Sequence, residues 1–157
     1  MRFARSGVIA LALGLTCAAV APTAVAATYR IDDSSSVPRE STTLLRWRQA
    51  APARDADDTL EGTVGVAVRL NFEPWLNRSG RVFLVFPEQG TPSVRVSWRT
   101  QGRLLPGEIS PGQRVLVYEG PITVPFLDET LALKIQANGS QLPEMRSLAF
   151  HFEIDTD

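Results

Sequence analysis

Residues 63–72 read TVGVAVRLNF. In an extended chain Val64, Val66, Val68, Leu70 and Phe72 fall on one side, and Thr63, Gly65, Ala67, Arg69 and Asn71 fall on the other. Side chains alternate between the faces of a strand, whereas a helix repeats every ~3.6 residues. Strict alternation over ten residues predicts an antiparallel strand with one buried and one solvated face.

The same logic extends outward. In 93–101, SVRVSWRTQ, Val94, Val96 and Trp98 share the inward face, and Arg95, Ser97 and Arg99 the outward one. In 130–137 Leu131, Leu133 and Ile135 align, and in 147–154 Leu148, Phe150, Phe152 and Ile154 do. In 42–48 Leu45 and Trp47 point inward, with Arg46 and Arg48 outward. The runs 81–86 (RVFLVF) and 114–119 (RVLVYE) are apolar on both faces and read as central strands. A short strand at 28–31 pairs at an edge. Gly, Pro, Asn or Asp interrupts the chain every eight to fifteen residues, and no window holds a helical period. The predicted fold class is all-β: an immunoglobulin-like antiparallel β-sandwich of seven or eight strands, with a small closed barrel as the alternative. Residues 49–62 read as an exposed loop, Ser34 to Ser36 as a flexible segment, and Asn138-Gly139 as a turn with positive φ.

The first 26 residues are different. Arg2 and Arg5 precede an apolar run from Val8 to Val20, too short for a comfortable bilayer span, and Ala24-Val25-Ala26 has the small-residue spacing of a cleavage site. This predicts a bacterial secretory signal peptide at 1–26, a single domain at 27–157, and a periplasmic or secreted mature chain with no integral membrane segment. Cys17, the sole cysteine, lies inside the signal, so the mature chain is expected to have no disulfide and no thiol chemistry. Removing Arg2 and Arg5 leaves 14 basic against 17 acidic residues, which gives no reason to expect nucleic-acid affinity.

Catalytic signals are sparse. His151, the only histidine, lies on the polar side of its strand and reads as a solvated strand residue. The cluster Asp55, Asp57, Asp58 and Glu61 lacks EF-hand spacing and reads as a solvated loop. No metal, no cofactor and no enzymatic activity are expected, and no stretch carries a family signature specific enough to adopt. Arginines concentrate on strands, Arg46, Arg48, Arg95 and Arg99 among them, and the pattern places most acids in loops. Outward guanidinium groups suit carboxylate or phosphate recognition. The structural alternative is that their stems cover the sheet and pair with nearby acids.

Trp75 and Leu76 stand in a connection, FEPWLNRSG at 72–80, where bulk apolar residues are unusual. They form either a plug folded over the end of the core or an exposed tip, and the plug is favoured because exposed Trp-Leu pairs are a liability. The leading functional expectation is an exported, non-catalytic domain that binds another macromolecule as an inhibitor or immunity-type protein, an accessory subunit or a surface-assembly component, its partner a protein or a cell-envelope component. Trp75, Leu76 and Phe126 are the loop-borne candidates for contact. The alternative is a carrier of small apolar ligands with a barrel cavity. An enzyme built on carboxylates such as Glu153 and Asp155 ranks last.

Overall fold

A computed structural model describes residues 27–39, 45–48, 58–88, 94–139 and 149–156. Within them the chain forms β1 (Ala27–Arg30), β2 (Val37–Pro38), β3 (Arg46–Trp47), β4 (Thr59–Asn71), β5 (Ser79–Phe86), β6 (Arg95–Arg99), β7 (Gly107–Ile109), β8 (Gln113–Pro121), β9 (Phe126–Asn138) and β10 (His151–Thr156). One antiparallel sheet has the order β1-β10-β5-β8, and the other runs β2-β4-β9-β6-β7, with β3 also paired to β4. The expected signal peptide, residues 1–26 with Cys17, lies outside the described residues. No helix among the described residues is long and apolar enough to cross a membrane.

The alternation in TVGVAVRLNF organises the larger sheet. β4 pairs with β9 along thirteen residues, from Thr59↔Asn138 to Asn71↔Phe126. Opposite residues share a face, so Val64 meets Leu133, Val66 meets Leu131 and Leu70 meets Leu127 on the inner side. β5, β8 and β10 of the other sheet supply Val82, Leu84, Phe86, Val117, Phe152 and Ile154 to the same apolar cluster. Burying each such side chain stabilises the fold by about 1.5–3 kcal/mol relative to leaving it in water.

β5 sits between β10 and β8, as its two apolar faces predict. β8, whose two apolar faces predicted a central strand, is instead the edge strand of this sheet. Its register against β5 shifts between Val82 and Phe83, so that Tyr118 faces Val82 but Leu116 faces Phe83. Val117 is the extra residue, and it is buried. A bulge of one residue transfers every later side chain to the opposite face. Arg114 therefore emerges on the outer surface beside Val85 instead of pointing at the core.

The closed barrel expected as an alternative is not formed. β1 and β8 end one sheet, β2 and β7 end the other, and no ladder joins them. The edge strands β2 and β7, two and three residues long, are too short to carry pairing round. Among the described residues one isolated bridge, Asp32↔Asn71, links the sheets at one corner, and Leu105 N–H donates to the Val117 carbonyl at another.

Other expectations change. Thr59–Gly62 belong to β4, not to the loop, and 49–57 lie outside the described residues. Asn138 and Gly139 take no positive φ, because they continue the ladder: Gly139 N–H donates to the Asp58 carbonyl at 2.7 Å. Ser36 is anchored, its hydroxyl accepting from Arg69 N–H at 3.0 Å. Of the strand expected at 42–48, Arg46–Trp47 are paired, and 41–44 lie outside the described residues. Trp47 is not a core residue. It stands opposite Leu60 and its ring abuts Gly139, yet 59% of it is exposed. Trp98 is buried as expected, its indole N–H donating to the Leu105 carbonyl at 2.8 Å. Leu148 falls outside the described residues.

Candidate functional site

Two turns build one end of the molecule. After Phe72 the chain makes a single 3-10 turn, Glu73–Trp75, begun by Pro74 and held by Glu73 N–H donating to Asn71 Oδ1 at 3.0 Å. Asn77 then takes φ 64°, a conformation Asn tolerates better than most residues. The β8–β9 turn locks against this segment, with Phe72 N–H donating to the Pro125 carbonyl, Asn77 N–H to Ile122 and Ile122 N–H to Arg78. Trp75 is 8% exposed, and its ring centre lies 6.0 Å from that of Tyr29. It is a plug in the core, so it cannot be the accessible anchor proposed for it. Leu76 and Phe126 remain 38% and 40% exposed, and the Arg69 guanidinium carbon stands 4.8 Å from the Phe126 ring centre.

The strand arginines divide. Arg48 pairs with Glu61 at 3.3 Å, and Arg95 with Glu108 at 3.3 Å. Glu61 also accepts from Gln136 at 2.7 Å and pairs with Lys134 at 3.0 Å, and these two partners hold its carboxyl below the usual range. The acidic partners Glu61, Glu108 and Asp128 sit on β4, β7 and β9, not in loops as the pattern suggested. Cross-strand neighbours thus satisfy Arg48, Arg69 and Arg95, while Arg46 is exposed at the sheet edge.

Arg99 differs. It belongs to a groove of about 970 Å³ on the six-stranded sheet, with Arg39 and Arg69. Along one row of this sheet Arg99 faces Ala132, and Ala132 faces Gly65. The stem of Arg39 crosses Gly65, its Cδ 3.5 Å from where a β-carbon would stand. Two arginines therefore flank a floor of Gly65, Ala67 and Ala132, whose small side chains leave the depression between them. Arg39 uses Nη2 to donate to Thr130 Oγ1 at 3.0 Å, and the side chain of Arg99 engages no described residue. Each guanidinium has five N–H donors, so most of their capacity is not used by the described residues.

The acids of the groove are already engaged. Asp128 pairs with Arg69 at 3.5 Å. Glu129 accepts from the Thr100 hydroxyl at 2.8 Å and from Leu104 N–H at 3.0 Å, which pulls the 100–104 loop over the end of the sheet. Sequence reasoning found Arg99 but missed Arg39, which stands outside every patterned run. A signal for the floor was present in the outward residues Gly65 and Ala67.

The outer face of the four-stranded sheet carries a second polar cluster. Arg114 donates through Nε to Glu153 at 2.9 Å and through Nη2 to Asp155 at 2.6 Å. Thr28 adds a hydroxyl bond to Asp155 at 2.6 Å, and His151 Nε2 lies 3.2 Å from Glu153. Arg114 foremost, and Thr28 with it, hold the Asp155 carboxyl below its ordinary value despite partial burial. Burial opposes the charge on Arg114, but Asp155 and Glu153 outweigh it and strengthen its hold on its proton. Arg114 and Thr28 both spend their donors on carboxylates of β10, which marks the cluster as cross-strand bracing. Among the described residues no group of three or more His, Cys, Asp or Glu is placed to hold a metal ion.

No family model matches the chain, and neither the curated proteins nor the solved structures contain a significant match.

Proposed function

We propose that this chain is an exported, non-catalytic domain that binds another macromolecule of the cell envelope through the outer face of its six-stranded sheet. The observation that carries the proposal is the groove in which Arg39 and Arg99 present unengaged donors across Gly65, Ala67 and Ala132. Planar guanidinium groups held apart on a rigid sheet suit a partner segment that bears carboxylates. Phe126, near Arg69 at the same end of β4 and β9, and the exposed Leu76 would supply apolar contact beyond the groove. Arg46, Arg48 and Arg95 lie elsewhere on this sheet and would contribute rim charge, which influences encounter rate more than affinity.

The proposal includes the finer fold, an immunoglobulin-like sandwich in one domain over 27–157. Its support is that two antiparallel sheets feed one apolar cluster and that most connections pass between them. Export rests on the basic start, apolar run and Ala24-Val25-Ala26 of the leader. The test is affinity isolation with the tagged mature chain from a native envelope extract. A stoichiometric protein or envelope polymer, released as salt rises, is the expected result; recovery of nothing above a tag control overturns the proposal.

A further inference from the structure

A cavity of about 330 Å³ lies between the two sheets. Its walls include Val66, Leu131 and Leu133 from one sheet and Leu84, Phe150 and Phe152 around the other, and Asp33, Ser36 and Pro38 stand at its border. We propose that this cavity binds a linear alkyl chain of about ten carbons carrying a neutral or cationic head group.

Three observations support this assignment. Protein interiors pack with few voids larger than a water molecule, and an apolar cavity of ~150 Å³ already admits benzene. A half-open apolar cleft twice that size between two sheets is a large departure from close packing. Water is a poor occupant, because each molecule needs two to four polar partners and the walls are almost wholly aliphatic or aromatic. The chain also has not filled the space with its bulkiest side chains. Trp75 closes the end of the molecule against Tyr29, Trp98 is fixed on Leu105, and Trp47 lies exposed beside Gly139.

The size of the ligand follows from the volume. At roughly 30 Å³ for a water-sized group, the cavity takes about ten methylene units. A flexible chain suits a slot between twisted sheets. The head group follows from the border. Asp33 brings a negative charge to that border, while the Ser36 hydroxyl is already held by Arg69, so an ammonium or a neutral hydroxyl is accommodated and a carboxylate is repelled. The nearby arginines do not offset this, because Arg69 is paired with Asp128 and Arg39 lies on the outer face bonded to Thr130. This site is separate from the groove, and neither requires the other.

The experiment is calorimetric titration of the mature protein with hexanol, octanol, decanol, dodecanol, decylamine and decanoate. Affinity should rise about fourfold per added methylene up to about ten carbons and then level off. Decanoate should bind at least tenfold more weakly than decylamine, and Asp33→Asn should remove most of that difference. Val66→Phe, which places a ring in the cavity, should abolish decanol binding while the protein melts no lower than the wild type. Should Val66→Phe fail to fold, the chain-length series alone decides. Absence of decanol binding, affinity independent of chain length, or equal binding by a folded Val66→Phe protein overturns the site. Equal affinity for decanoate and decylamine overturns the head-group assignment.

Discussion

Arg114 stands over Phe83, its guanidinium carbon 3.5 Å from the ring centre, and reaches across β5 to Glu153 and Asp155 on β10. The bulge at Val117 makes this possible by turning Arg114 outward. Charge-assisted hydrogen bonds contribute about 1.5–3 kcal/mol when protected from solvent, but a third of this side chain is exposed and solvent weakens the pairing. Arg114→Ala is expected to cost about 1–2 kcal/mol in urea unfolding. Arg114→Lys should recover less than half, since an ammonium can neither bridge two carboxylates in a plane nor stack on the ring.

The same cluster sets an acid response. The folded Asp155 carboxyl titrates below its unfolded value of about 3.9. Between the two values the unfolded chain binds more protons than the folded one, so stability rises with pH there. The contribution is complete above the unfolded value and is lost as pH falls through the folded one. Glu61 acts in the same direction. Stability measured from pH 7 to 3 should show the wild type and Asp155→Asn converging at the acid end. A constant gap between them would contradict the assignment.

Trp75 and Leu76 are adjacent but should behave as opposites. Trp75→Ala removes a buried ring and is expected to cost about 3–5 kcal/mol. Leu76→Ala, at an exposed site, should stay within about 0.5 kcal/mol of the wild type. Denaturant unfolding of both variants checks this, and a small effect at Trp75 would place its ring outside the core.

Gly107 is required by its neighbour. A methyl group there would stand 2.6 Å from a Trp98 ring carbon, and Trp98 is fixed by its bond to Leu105. Gly107→Ala should cost about 1–3 kcal/mol through overpacking. In a double-mutant cycle Trp98→Leu should relieve most of that cost, whereas additive losses would show that the two do not meet.

The sequence pattern located the long strands because period-two alternation is a local property of the chain. It placed Val64, Val68, Leu70, Val96, Leu131 and Ile154 inward, and all are buried. It could not show the Val117 bulge, since one extra residue leaves no compositional mark in a run that is apolar throughout. For Trp47 the phase was right but the burial was not. The residue shares a side with Leu60 at the end of the sheet, and alternation does not show where the covering sheet stops. Asp128 and Glu129 looked like loop acids because β9 begins at Phe126, ahead of its apolar run. The groove was the least legible feature. Arg39 and Arg99 are 60 positions apart in the chain and are brought to one depression only by pairing of β4 with β9 and of β9 with β6.

The groove that Arg39 and Arg99 flank is the proposed binding surface. Its most direct test is the affinity of the partner recovered from the envelope extract for the wild type, for Arg39→Ala/Arg99→Ala, and for Arg30→Ala on the other sheet. The account predicts at least a tenfold loss for the groove variant, a shallower dependence on salt, and no change for Arg30→Ala, with all three proteins melting alike. Undiminished affinity in a folded Arg39→Ala/Arg99→Ala protein would contradict it.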